Sequence, residues 1–340
     1  MEGKSPPPPQ KRLTIGMEKD IIGADRSGIM NIFTLTLNPA FDIHAEAKAF
    51  SVHKESLARV ASRDAGGKGI NLSRALAAVG TESEALVLLG KENAEEFLRA
   101  LPDGGVRYTP FYTEGRIREN ITVHVAGEKE TRLSFEGFSA SDGALDAIEA
   151  HLLPRLDSDA VLAFAGSVPT GISHERVMTF LSRAKARGAR LVLDSKSLSK
   201  EDVLSLRPAL IKPNEEEIGG YIGTAPASLV ECAAGARELS LSGISCVMVS
   251  LGGEGALLAA SGHVFFARPP RITPLSTVGA GDASIAGFLY AAAGDLSAEE
   301  CLCHAVAFGT AACLTAGTSA PKKEDIERIL SEVKTEDISV

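Results

Sequence analysis

Ala160-Val-Leu-Ala-Phe-Ala165 is a strand-length run without a polar residue, and it decides the class of fold. A strand with one wet face alternates apolar and polar side chains, whereas an unbroken run needs apolar cover on both faces. Further apolar strand candidates lie at residues 32–37, where Thr34 and Thr36 alternate with apolar residues, and at 85–89, 191–193 and 246–250, and stretches of helical pattern such as 174–187 and 229–241 alternate with them. This alternation predicts an α/β fold with a mostly parallel sheet and helices on both faces. At 340 residues and 44% hydrophobic content, the chain is long enough for one large core and an appendage. Ligands of such sheets gather beyond the carboxyl ends of the strands, where Asp42, Gly166 and Lys212 fall.

Thr277-Val-Gly-Ala-Gly-Asp282 runs directly into a helix pattern in which Ile285, Phe288, Leu289 and Ala292 share a face and Gly294 is placed to end it. Two glycines leave the N–H groups of the turn bare, and the first turn of a helix has donors without internal partners, so the spot attracts negative charge. A carboxylate beside such an anion site is suited to take a proton from an acceptor hydroxyl while a phosphoryl group is transferred. The same pattern also describes an ordinary turn with Asp as N-cap, so the chemistry needs partners elsewhere in the chain.

A second glycine loop, Ala65-Gly-Gly-Lys-Gly-Ile-Asn71, opens a helix with Leu72, Ala75, Leu76 and Val79 at helical spacing and Gly80 as a stop. It is neither a Walker A loop, since glycine follows Lys68 and the four-residue spacer is missing, nor a dinucleotide fingerprint. Its glycines allow close approach of backbone to a ligand, and Asn71 can direct an amide at sugar hydroxyls. A tight turn at a helix start is the alternative reading.

With Thr34-Leu-Thr-Leu-Asn-Pro-Ala-Phe-Asp42, Ala165-Gly-Ser-Val-Pro-Thr-Gly171, Ile211-Lys-Pro-Asn-Glu-Glu-Glu217 and Val249-Ser-Leu-Gly-Gly-Glu-Gly255, these loops resemble, in order, the motifs of PfkB carbohydrate kinases in the ribokinase superfamily. The branch they most resemble phosphorylates phosphorylated hexoses and includes the 1-phosphofructokinases and tagatose-6-phosphate kinases. The resemblance spans residues 31–330. It implies a three-layer α/β/α sandwich over residues 30–335 with a small β lid drawn from about 42–60 and 110–136. It also implies ATP and Mg2+ as cofactors and a phosphorylated ketohexose as substrate. Asp282 would be the base, with Gly279, Ala280 and Gly281 forming the anion turn. Asp42, Gly67, Lys68, Asn71, Arg118 and Ser167 would surround the sugar phosphate. Lys212, Asn214, Ser250, Gly252, Gly253 and Gly255 would meet the nucleotide, and Asn214 with Glu217 would organise Mg2+ largely through water. Locally, Asn214 and Glu217 also have the spacing of a capping box.

The lid reads as a strand pair, 115–125 and 131–135, joined through Gly127-Glu-Lys. The resemblance gives Arg118 on this lid the substrate's phosphate, with Arg116, Arg132 and Lys54 as weaker choices, and makes the lid a homodimer surface. Two positions depart from the family pattern, Ala283 in place of a serine and Phe41 in place of a smaller aliphatic residue. The Arg-Glu-Asn-Ile lid strand and the late helix at 305–312 are more similar to 1-phosphofructokinases, which points to fructose 1-phosphate as acceptor and fructose 1,6-bisphosphate as product. Tagatose 6-phosphate and fructose 6-phosphate are the alternatives, and a non-catalytic sugar-phosphate sensor is the alternative of another class.

A net charge of −9 argues against a nucleic-acid partner, and no apolar run reaches membrane-spanning length. Five scattered cysteines form no disulfide framework, which leads to the expectation of a reduced, cytoplasmic setting. Seven histidines form no metal motif; His44 and His124 fall near the expected sugar site in a structural role. Residues 1–29, with the run Pro6 to Pro9, read as a flexible extension, and Met30 directly before the first strand is an alternative start.

Overall fold

The computed structural model describes residues 30–102 and 104–339, so the expected extension at 1–29 lies outside it. The strands in chain order are β1 Asn31–Thr36, β2 Ala40–Ala47, β3 Ala58–Gly66, β4 Glu84–Gly90, β5 Arg107–Thr113, β6 Arg118–Val125 and β7 Thr131–Leu133. There follow β8 Ala160–Ala165, β9 Arg190–Asp194, β10 Leu210–Ile211, β11 Cys246–Ser250, β12 Ala256–Ala260, β13 His263–Arg268 and β14 Lys334–Asp337. The helices are α1 Lys68–Ala77, α2 Ala94–Ala100, α3 Ala144–Leu152, α4 His174–Ala186 and α5 Lys200–Leu206. After these come α6 Glu215–Ile222, α7 Leu229–Leu241, α8 Ala280–Ala293, α9 Ala298–Ala312 and α10 Lys323–Leu330.

Ten strands form one sheet in the order β14-β13-β12-β11-β10-β9-β8-β1-β4-β5. From β11 to β5 every neighbouring pair is parallel, and β12, β13 and β14 close the other edge antiparallel. The apolar run at 160–165 shows why. Leu162 and Phe164 join a core with residues of α2 to α7, while Val161 and Ala163 join a second core with α1, α8, α9 and α10. Each fully buried Leu or Phe in these layers contributes roughly 1.5–3 kcal/mol. The strand therefore has no polar residue because neither of its faces meets water. This is the α/β/α sandwich that the sequence leads one to expect.

A second sheet, ordered β3-β2-β6-β7, stands over the carboxyl ends of the first. β2 pairs antiparallel with β3 and parallel with β6, and the expected pair β6 and β7 is antiparallel with Ile121 opposite Leu133. Residues 110–113, grouped with the lid on sequence, instead belong to β5 at the edge of the large sheet. Pro110 and the polar side chains of Arg-Tyr-Thr-Pro-Phe-Tyr-Thr suit a strand that needs donors on one side only. β14, Lys-Thr-Glu-Asp, was not foreseen: an exposed edge strand held by backbone pairing carries no apolar signal.

α8 and α9 pack backbone to backbone. A Cβ on Gly287 would lie 2.4 Å from the His304 carbonyl oxygen, whereas one on Gly220 in α6 would meet nothing within 4 Å. Gly287→Ala is therefore expected to lower the unfolding free energy by about 1–3 kcal/mol through overpacking. Gly220→Ala should leave it unchanged or raise it by up to about 1 kcal/mol through helix propensity. Urea denaturation of both variants checks the pair; equal midpoints would contradict the tight helix contact.

Candidate active site

Five main-chain ends converge beneath the lid. The end of β1 leads to Asn38 and then Asp42; β9 ends on Asp194; β10 delivers Lys212; and α1 and α8 begin at Lys68 and Ala280. The α1 start is held to β1, where Ile70 N–H donates to Thr36 Oγ1 at 3.2 Å. A Cβ on Gly67 would stand 2.5 Å from Thr36 Cγ2, and one on Gly69 2.7 Å from Thr36 Oγ1. These glycines are thus required first for the approach to β1, a protein contact that the sequence reading had assigned to a ligand. Gly67 also lines a cavity beneath the lid.

α8 starts at Gly279, which takes the left-handed conformation with φ 82° as N-cap. Asp282 is the third residue of the helix rather than its cap, and is buried. Its Oδ2 accepts from Asn71 Nδ2 at 2.9 Å. Burial pushes the Asp282 carboxyl up to about 6; Lys68 opposes the rise and Asp194 adds to it. Asn71, expected to face sugar hydroxyls, is thus committed through its amide to Asp282, while its Oδ1 is buried without a partner.

Asp194 carried no weight in the sequence reading, yet it organises the charges. Lys68 Nζ donates to its Oδ2 at 2.9 Å, and Lys212 Nζ stands 3.7 Å from its Oδ1. Burial alone would raise this carboxyl, but Lys212 and Lys68 outweigh it and hold the group below its usual range. Burial likewise works against the Lys68 ammonium, and the nearby Asp194 and Asp282 overcome it and raise its pKa. Lys212 also overlooks the glycine turn: a Cβ on Gly281 would be 3.1 Å from its Nζ.

Two cavities meet over this turn. The lid-side cavity, about 580 Å³, is lined by Asp42, Gly67, Lys68, Asn71, Arg118, Ser167, Gly279, Gly281 and Asp282. The second, about 630 Å³, is lined by Ser250, Gly252, Gly253, Gly255 and Ala280. Lys212, Thr277 and Gly281 line both. Gly252 and Gly253 sit in the turn between β11 and β12, where a Cβ would meet no atom within 4 Å.

Asn214 and Glu217 line neither of these two cavities. They form a reciprocal capping box at α6, with Glu217 N–H donating to Asn214 Oδ1 at 2.7 Å and Asn214 N–H to Glu217 Oε2 at 3.0 Å. Glu217 Oε1 remains outside the box, 3.3 Å from Lys196 Nζ. Among the described residues no group of three or more His, Cys, Asp and Glu side chains could hold a metal ion.

Under the lid, Asp42 Oδ1 accepts from Asn120 Nδ2 at 3.1 Å and from Arg132 at 2.9 Å. Arg132, a weaker choice on sequence, therefore lines the cavity beside Arg118. Arg118 donates to the carbonyls of Phe135 and Asn38 at 3.1 and 3.3 Å, and its Nε is buried without a partner. Asn38 Nδ2 in turn donates to Ser167 Oγ at 3.1 Å. His44 and His124 stack behind Asp42 with ring nitrogens 3.0 Å apart.

Comparison with known proteins supplies the wider context. The family model for pfkB family carbohydrate kinases matches residues 36–325. The chain is 33% identical over 306 residues to the 1-phosphofructokinase of Rhodobacter capsulatus, covering 89% of this chain and 97% of the relative. It is 27% identical over 303 residues to that of Vibrio cholerae serotype O1, covering 89% and 96%. Phosphofructokinase-2 from Escherichia coli, solved in complex with substrates and products, superposes with a TM-score of 0.83 at 28% identity, covering 89% of this chain and 99% of that one. No helix among the described residues is long and apolar enough to cross a membrane. Since the matched stretch runs through every motif that builds the two cavities, the chain belongs to the pfkB family of carbohydrate kinases and is a phosphotransferase.

Proposed function

We propose that the protein transfers the γ-phosphoryl group of ATP to fructose 1-phosphate, giving fructose 1,6-bisphosphate and ADP. The observation that carries this reading is a buried carboxylate with a raised pKa, Asp282, at a glycine turn shared by two cavities. The lid-side cavity takes the sugar phosphate, and the cavity between Ser250 and Ala280 takes the nucleotide. Asp282 removes the proton of the acceptor hydroxyl as its oxygen attacks the γ-phosphorus and the bond to the ADP oxygen breaks. Asn71 orients the carboxylate, Lys68 and Lys212 face the negative charge, and the N–H groups at Gly279 to Gly281 stabilise it. Asp42 accepts from sugar hydroxyls and fixes the direction of attack.

The nucleotide's divalent ion, Mg2+, would neutralise phosphate charge and take most of its ligands from phosphate oxygens and water, with Glu217 Oε1, outside the capping box and 3.3 Å from Lys196 Nζ, as the carboxylate oxygen that would hold one of those waters. Fructose 1-phosphate is favoured over tagatose 6-phosphate and fructose 6-phosphate because the curated relatives above are 1-phosphofructokinases.

Four exposed apolar side chains on the lid, Val52 (85% exposed), Leu57 (90%), Val60 (59%) and Phe135 (51%), support a homodimer through this sheet. Light scattering after size exclusion is expected to give twice the chain mass, and a monomer at working concentration would remove the dimer.

The reaction is tested by ADP release from Mg-ATP with each of the three ketohexose phosphates, using Asp282→Asn as the blank. Preference for fructose 1-phosphate is expected, with the variant slowed about 10²- to 10⁴-fold, the scale of a lost general base. Turnover of a 6-phosphate alone would reassign the acceptor, and ligand-induced thermal stabilisation without ADP would favour the sensor.

Arg118, whose Nε has no protein partner, is assigned to the substrate's own phosphate. Arg118→Ala should weaken sugar-phosphate binding by about 1.5–3 kcal/mol, the worth of a hydrogen bond to a charged group. Equal affinity in variant and parent, measured calorimetrically, would instead leave the phosphate to Arg132.

A further inference from the structure

Phe41, the aromatic residue where the family pattern leads one to expect a smaller aliphatic side chain, has no part in the chemistry above. It immediately precedes Asp42 on β2, and strand alternation sends the two side chains to opposite faces of the lid. Asp42 lies opposite Asp64 on β3 and Asn120 on β6, on the face that forms the sugar site. Phe41 lies opposite Glu119 on β6, on the other face.

That other face is tied to the body of the protein. Phe41 is fully buried and meets Phe97 of α2 edge to face, with ring centroids 5.2 Å apart and planes at 71°. The Arg63 guanidinium of β3 lies 3.6 Å above the Phe41 ring. Its Nη1 donates to Glu96 Oε1 of α2 and its Nη2 to Glu119 Oε1 of the lid, both at 2.7 Å. One planar cation thus covers an aromatic face with its own face and joins two carboxylates, one on each body, through its edge. An ammonium group has no flat face with which to do this.

We propose that Arg63 and Phe41 form a clamp that fixes the root of the lid and turns Asp42 toward the cavity before the sugar arrives, so that Arg63 is a positioning residue for sugar-phosphate binding. Pre-setting the lid removes part of the ordering cost of binding. It acts on substrate capture and leaves the transferring groups, which belong to the large sheet, α1 and α8, where they are. This assignment rests on the reading of the lid-side cavity as the sugar site.

The test uses the full chain with Arg63→Met and Phe41→Val, alone and combined, and Arg59→Met as a control. Arg59 pairs with Glu46 on the lid in an exposed ion pair away from the clamp. Amide hydrogen exchange is followed in β2, β6 and α1, together with KM and kcat for the best ketohexose phosphate and for ATP. Exchange in β2 and β6 should rise with α1 unchanged, and KM for the sugar phosphate should rise about three- to thirtyfold, the range expected for a lost cation–π contact. The kcat and the KM for ATP should stay within about twofold, and the double variant should fall short of the product of the singles, because both residues serve one clamp.

Should Arg63→Met unfold, Arg63→Lys carries the test: it keeps the charge, loses the flat face and should show a smaller rise in the same two readouts. Folded variants with the parent's exchange and sugar KM would overturn the clamp, as would a fall in kcat with no change in KM. Failure of the sugar-site reading looks different: the parent would turn over none of the ketohexose phosphates, while the exchange data would still judge the clamp.

Discussion

The ion contacts of Asp194 with Lys68 and Lys212 hold the site together, because these three residues come from three separate elements and meet only here. Lys68 starts α1, Asp194 ends β9, and Lys212 follows β10. A buried carboxylate between two ammonium groups is costly to leave unpaired, so each partner fixes the others. Adding Asp282 balances the formal charge at two positive and two negative groups. In the proposed reaction Asp282 takes a proton from the acceptor, which makes the cluster net positive at the moment the transferred group gains a new bond. The glycine turn then needs no rearrangement to meet the charge, which is the condition under which preorganised dipoles are most effective.

This arrangement trades stability for chemistry. The carboxyl of Asp282 rises from 3.8 to about 6 because burial opposes its charged form. The folded protein therefore holds a proton there that the unfolded chain gives up between roughly pH 4 and 6. Stability contributed by this group is present below about pH 4 and lost as pH rises through 6, by on the order of 3 kcal/mol across that window. A chain selected for stability alone would not keep an ionised carboxylate at this position at neutral pH.

The sheet was legible because strands covered on both faces lose their polar residues, and the two glycine loops because close backbone contacts and left-handed turns admit little else. What escaped the sequence reading has physical reasons. Asp194 follows Leu191-Val-Leu193 and reads as a polar residue closing a strand; nothing local tells of the two lysines that reach it from elsewhere in the chain. Arg118 ranks above Arg132 by resemblance, and only the fold spends two nitrogens of Arg118 on carbonyls and gives Arg132 to Asp42. The lid was placed but its limits were not: β5, with its proline and polar residues, resembles a peripheral strand of either sheet, and only pairing with β4 decides. The capping box at Asn214 and Glu217 is fully explained by local pairing between Asn214 Oδ1, Glu217 Oε2 and the two backbone N–H groups.

With Asp282 as the proposed proton acceptor, its burial sets the working pH. The most direct measurement is the pH dependence of kcat for the parent protein, at saturating Mg-ATP and sugar phosphate, between pH 5 and 8.5. A loss of rate on acidification through an apparent pKa near 6 is expected, since the protonated carboxyl cannot accept the hydroxyl proton. A rate that stays level from pH 8.5 down to 5, with chemistry limiting throughout, would place the base elsewhere.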